Sequence, residues 1–319
     1  MIPTPLEAFG LSPSPKSRVE IFLKRDDLTG CELSGNKVRK LEFIVYDAIS
    51  RRADTLITCG GIGSNHCRAT AALASRLGLG CHLFLKGRQP SRPNGNLLLD
   101  NLYGARITCV TDKAYETNID KIMADWADRL KRTGKRPYVI PEGASNPLGM
   151  WGYLLQGIEL KKQLDKANVK PDFLVCAVGS GGTYAGLHLA AQYLDWPVQI
   201  LGMAVARNRR YFIDKISRLL IDFAAQYDFP VNVQNRMINI DDSYIGPGYA
   251  KISKKETDFI KAVAANSGVV LDPAYTAKAM IGLFDYITNG EIRNDSKVVF
   301  IHTGGLLSIF SYQSKLAAR

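Results

Sequence analysis

The sequence predicts an α/β protein of two domains, each an open, mostly parallel sheet flanked by helices. Three observations carry this expectation: apolar strand-like runs alternate with helical patterns, connections are short, and no long linker divides the chain. A chain of 319 residues can bury a sizeable core.

The strand candidates are TLITCG (55–60), CHLFLKG (81–87), RITCV (106–110), PYVIPEG (137–143), DFLVCAVG (172–179), VQILGMAV (198–205) and KVVFIHTGG (297–305). Helical patterns lie between them. In LEFIVYDAISRR the residues Leu41, Ile44, Val45, Ala48 and Ile49 share one stripe. SNHCRATAALASRLG closes on Gly78, a helix-ending residue, and YETNIDKIMADWADRLKRTG carries a basic last turn before Gly134. The first four strands fall within 41–149 and predict a smaller domain there. The later strands predict a larger, discontinuous domain of 1–40 and 150–319. A cleft between two such domains is a common place for a ligand.

Bulk composition narrows the function classes. Hydrophobic residues make up 46% and charged residues 22%, as in ordinary water-soluble domains. No run of about 18 apolar residues occurs, so no membrane span is expected. The opening MIPTPLEAFG does not read as a secretory signal, which makes a cytoplasmic enzyme the expectation. Cys31, Cys59, Cys67, Cys81, Cys109 and Cys176 form no CxxC pair, so structural thiols are expected and no metal site. Net charge is +11, and Arg207, Arg209, Arg210, Lys215 and Arg218 are its densest stretch. Tyr211, Phe212, Ile216 and Leu219 fall near helical spacing there and read as a core face, leaving the cations solvated. Nucleic-acid binding is therefore not expected; mild attraction of anionic substrates is.

Four segments could carry chemistry. In SGNKVRKLEF, Lys37 stands where a helix begins, and positive dipole potential there favours a neutral, nucleophilic amine. Alone, it reads more readily as one of three exposed cations with Arg39 and Lys40, because surface lysines are common. In CGGIGSNHCRATAALA, Ser64 and Asn65 open a helix whose free amides suit an anion, and either could simply be the cap. In VCAVGSGGTYAG, the run Gly179, Ser180, Gly181, Gly182 and Thr183 joins a strand to a helix and suits a phosphate. It lacks the glycine of a dinucleotide loop at Tyr184 and the GK[ST] of a Walker loop. In IGPGYA, LDPAYTAKAM and VVFIHTGG, Tyr249, Tyr275 and Thr303 are candidate ring or proton contacts, and His302 reads as a packed histidine.

An aldehyde-suited lysine, a phosphate loop and a polar helix start together fit pyridoxal 5'-phosphate (PLP). The blocks KRDDLTG, SGNKVRKLEF, GGIGSNH, GSGGTYAG, LDPAYTAKAM and FIHTGG occur in this order over nearly the whole chain. They resemble the D-cysteine desulfhydrases and 1-aminocyclopropane-1-carboxylate (ACC) deaminases, PLP enzymes of the tryptophan-synthase-β-like fold. One departure is Ser34, where that family usually shows glycine.

The resemblance implies that Lys37 holds the cofactor as a Schiff base and later moves the substrate α-proton. It implies that Ser64 and Asn65 hold the substrate carboxylate region and the cofactor's ring oxygen, and that Gly179 to Thr183 bind the phosphate. Tyr275 would lie against the ring with Tyr249 on the substrate side, and Thr303 would face the pyridine nitrogen. ACC deaminases typically carry Glu and Leu where this chain has Thr276 and Thr303, so these two positions imply the desulfhydrase branch. The implied reaction is D-cysteine to pyruvate, hydrogen sulfide and ammonia, in a homodimer. The alternatives are ACC deamination, elimination on cysteate or D-serine, and a non-catalytic PLP- or phosphometabolite-binding protein.

Overall fold

The computed structural model describes residues 2–317. In chain order it runs β1 (Leu6–Phe9), β2 (Glu20–Lys24), α1 (Lys37–Ser50), β3 (Thr55–Gly61), α2 (Asn65–Arg76), β4 (Gly80–Lys86) and α3 (Gly95–Leu102). It continues with β5 (Arg106–Val110), α4 (Asp112–Arg132), β6 (Pro137–Val139), α5 (Pro147–Lys166), β7 (Phe173–Val178), α6 (Gly182–Tyr193) and β8 (Gln199–Ala204). The last elements are α7 (Arg209–Tyr227), β9 (Asn239–Asp241), α8 (Lys254–Ser267), α9 (Thr276–Thr288), β10 (Lys297–Ile301) and a short helical tail.

Two sheets organise the chain. One has six strands in the order β1-β2-β10-β7-β8-β9, the other four in the order β5-β4-β3-β6. Every pairing is parallel except β1 with β2. Each sheet is covered on both faces, which is why its central strands are apolar throughout rather than alternating.

All seven strand candidates contain strands, although PYVIPEG keeps only three strand residues before turning. The alternating pattern did not single out β1, β2 or β9. β2 is recruited because it pairs with β1 on one side and β10 on the other. Helix α1 buries Leu41, Ile44, Val45 and Ala48 as expected, while Ile49 is exposed. On α7, Phe212, Ile216 and Leu219 are buried, but Tyr211 is exposed. Its ring lies under the cations of Arg207 and Lys215, at 5.7 and 5.6 Å, so it belongs to the charged face.

Arg39 and Lys40 correct the reading of a solvated basic trio, because both are buried. Arg39 donates to Asp26 at 2.9 Å and to Glu159 at 2.9 and 3.0 Å, and Lys24 also pairs with Glu159. Asp26 further accepts from Thr4 at 2.8 Å and Tyr153 at 2.7 Å. This cluster joins the end of β2, the first turn of α1 and the middle of α5. Truncation would leave the buried Asp26 carboxylate without its ion-pair partner and Glu159 with Lys24 alone, so Arg39→Ala is expected to cost about 3–5 kcal/mol. Urea unfolding of the purified variant checks this.

Candidate active site

The loops that follow β3, β7 and β10 converge at the carboxyl ends of their strands, where open α/β sheets place ligands. They enclose a cleft of about 410 Å³, open solvent included. Its walls include Asn36, Lys37, Asn65, Gly179, Ser180, Gly181, Thr183, Tyr275 and Thr303. Eight of the site residues read from sequence thus meet in one place, with no carboxylate among the wall residues.

Lys37 is the first residue of α1. Gly35 sets it in place with a φ of +101°, and a Cβ there would come within 2.8 Å of the Thr303 carbonyl. That carbonyl accepts from Asn36 N at 3.0 Å, while Gly35 N donates to Thr29 Oγ1 at 2.9 Å. Burial lowers the Lys37 ammonium to about 8, against the opposing pull of Glu142 and Asp272. The amine is therefore far closer to its nucleophilic form than an exposed lysine.

The glycine loop leads into α6, with Gly181 at a φ of +87°. Ser145 ties it down: its Oγ lies 2.7 Å from Ser180 Oγ and accepts from Gly182 N at 3.2 Å. Lys40 Nζ donates to the same Oγ at 3.2 Å. No carboxylate among the described residues pairs with Lys40, and burial, Lys37 and Lys215 together push its pKa well below the usual value. A buried amine beside a backbone-amide loop, whose charged form has no counter-charge among the described residues, fits a phosphate. Asn36 Nδ2 adds a bond to Thr183 Oγ1 at 3.0 Å, linking the lysine turn to the loop.

Ser64 caps α2, accepting from Cys67 N at 3.2 Å, and Asn65 faces the cleft one residue later. Tyr275 precedes α9 on a turn held by Asp272, which accepts from the amides of Ala274, Tyr275 and Thr276 at 3.0, 3.1 and 2.7 Å. A Cβ on Gly179 would meet the Tyr275 ring at 2.8 Å, so glycine lets loop and ring touch. Tyr249 reaches Tyr275 hydroxyl to hydroxyl at 2.6 Å. Thr303 lines the cleft. Thr276 does not; its hydroxyl bonds Asp272 Oδ1 at 2.8 Å and the residue is fully buried. His302 is packed: Nδ1 accepts from Gly304 N and Nε2 faces the Val270 carbonyl, both at 3.2 Å, as a neutral imidazole can.

Sequence reasoning missed Asn36, Lys40 and Ser145. Lys40 had a readable signal, three residues after Lys37 and so on the same helix face. Ser145 had none, since its partners lie 35 and 105 residues away.

A doubly covered pair of mostly parallel sheets and a half-buried, low-pKa lysine beside a glycine loop and a second amine fit a PLP-dependent enzyme. The family model described as pyridoxal-phosphate dependent enzyme matches residues 1–304, and the chain belongs to that family. A putative ACC deaminase of Thermotoga maritima is 41% identical over 315 residues, covering 98% of this chain and 97% of that protein. A bifunctional D-cysteine desulfhydrase/ACC deaminase of Arabidopsis thaliana, described as mitochondrial, is 39% identical over 326 residues, covering 99% and 80%. A crystal structure described as an ACC deaminase homologue superposes with a TM-score of 0.89 at 37% identity, covering 98% of this chain and 93% of that one. Within the PLP enzymes, the chain thus sits among the ACC deaminases and D-cysteine desulfhydrases. Among the described residues, no helix is long and apolar enough to cross a membrane.

Proposed function

We propose that the chain eliminates a β leaving group from a small amino acid, with D-cysteine as substrate and pyruvate, hydrogen sulfide and ammonia as products. One observation carries the choice within the family: the cleft wall offers hydroxyls and amides but no carboxylate, with Thr303 at the end of β10. A hydroxyl does not force a proton onto a ring nitrogen. It suits brief carbanion character and fast departure of sulfide rather than opening of a cyclopropane.

Bound PLP supplies an aldehyde for the substrate amine and a ring that draws electrons from the α-carbon. The loop 179–183 with Lys40 would hold its phosphate, Asn65 its ring oxygen, and Tyr275 one ring face. Lys37 Nζ, once free, takes the α-proton, for which its lowered pKa prepares it. The amides opening α2, with Ser64, hold the substrate carboxylate. The Tyr249–Tyr275 hydroxyl pair can pass a proton to the departing sulfur. Thr276, fixed on Asp272, acts on selectivity through the position of Tyr275. The proposal includes pairing as a cytoplasmic homodimer and the two-domain division, which the two separate sheets support.

ACC deamination is the second reading, favoured by the name of the Thermotoga relative. Product analysis on D-cysteine, L-cysteate, D-serine and ACC separates the readings. Pyruvate with sulfide from D-cysteine is expected; 2-oxobutyrate from ACC as the main activity would replace elimination by ring opening.

A further inference from the structure

We propose that Asn96 and Arg68 form a positioning relay that turns the Asn65 amide so that its NH2 group, not its oxygen, faces the cleft and meets an anionic oxygen there. The relay deepens the PLP reading above and rests on it. Asn96 and Arg68 lie behind the cleft wall, and both are buried, at 0% and 1% exposure.

The orientation follows from partners that have only one role. Asn96 Nδ2 lies 2.8 Å from the Gly63 carbonyl, which can only accept. Asn96 Oδ1 lies 3.3 Å from Arg68 Nε, which can only donate. The Asn96 amide is therefore fixed from both sides. The same Nδ2 reaches Asn65 Oδ1 at 2.7 Å, so Asn65 must offer its oxygen inward. Its own Nδ2 makes no hydrogen bond to another described residue, and Asn65 lines the cleft.

Arg68 extends the relay to the lysine. Its Nη2 donates to the Ser34 carbonyl at 2.9 Å and its Nη1 to the Glu32 carbonyl, in the segment that leads to Gly35 and Lys37. One buried guanidinium thus sets both the ring-oxygen donor and the approach of the lysine turn. The planar fork serves three neutral acceptors at fixed angles, which an ammonium on a flexible stem does not.

PLP affinity of the apo-protein and the pH midpoint of the bound cofactor's visible band read this relay without turnover. Asn96→Asp removes the donor that faces Asn65, so Asn65 turns and presents its oxygen to the cleft. Affinity is expected to fall by about 10- to 150-fold, the worth of one hydrogen bond to a charged group. The band's pH midpoint should rise, because an anionic oxygen has lost a donor. Asn65→Asp keeps an oxygen for Asn96 but has no donor for the cleft, and should show the same loss and the same rise. Arg68→Lys should weaken affinity too, with no rescue by retained charge.

If Asn96→Asp does not fold, Asn65→Asp decides alone. Wild-type affinity and an unmoved midpoint in Asn65→Asp would overturn the relay while leaving the PLP assignment intact. Absence of any visible band from PLP-treated wild-type protein would instead overturn the assignment, and the relay with it.

Discussion

Lys37→Ala is expected to abolish the visible band of the PLP-loaded protein, at about 410–420 nm for protein-bound PLP chromophores, together with all turnover. The loss of the band should not be shared by Lys40 variants, because in the proposed site Lys37 would bond the aldehyde and Lys40 would meet the phosphate. The pKa of Lys37 adds a pH dependence with a definite sign. Burial lowers it to about 8, so the neutral, nucleophilic form grows as pH rises toward 8 and saturates above. The apo-protein should therefore capture PLP roughly tenfold faster per pH unit below 8, then level off, whereas a free lysine would keep gaining to about 10.4. Stopped-flow absorbance across about pH 6–10 gives the profile, and a rate still climbing tenfold per unit at the top of that range, as for a free lysine, would contradict the lowered pKa.

Lys40→Met is the second large effect, and its two consequences have opposite signs. Among the described residues the buried Lys40 amine has only Ser145 Oγ as a partner, so a bound phosphate would be what favours its charged form. Removing it should weaken PLP affinity by about 10- to 150-fold, from the ~1.5–3 kcal/mol of a charge-assisted bond. The apo-protein should become more stable, because an unpaired buried cation is replaced by an apolar chain of similar length. Equilibrium titration with PLP and thermal melts of the apo-protein read the two effects separately. A weaker apo-protein with unchanged affinity would show that Lys40 serves the fold and not the cofactor.

The legible parts of the molecule were those whose signal is local. Continuous apolar runs such as those of β7 and β10 announced a sheet buried on both faces, and the glycine run after β7 announced the turn into α6. The start of α1 at Lys37 was readable from the turn residues ahead of it. What stayed hidden depends on partners far along the chain. β1 has only one buried residue among its four, so no pattern marks it until β2 is beside it. Arg39 and Lys40 carry the chemistry of surface residues, and only Asp26, Glu159 and Ser145, brought from other segments, make them interior. Tyr211 failed in the other direction, since helical spacing placed it near the core face while two cations held its ring outside.

The same limit applies within the cleft. Thr276 and Thr303 are alike in sequence, but one hydroxyl is committed to Asp272 and only the other residue lines the cleft. Asn65 was readable as the start of α2, but which end of its amide faces the ligand was not. That is set by Asn96, 31 residues later, and by Arg68.

Everything proposed for the site depends on which lysine bonds the cofactor. Borohydride reduction of the PLP-loaded protein, followed by peptide mass mapping, fixes that bond in a stable form and locates it. The modification is expected on Lys37 alone, with one cofactor per chain. Label on Lys40, or spread over surface lysines with Lys37 unmodified, would contradict the account at its root.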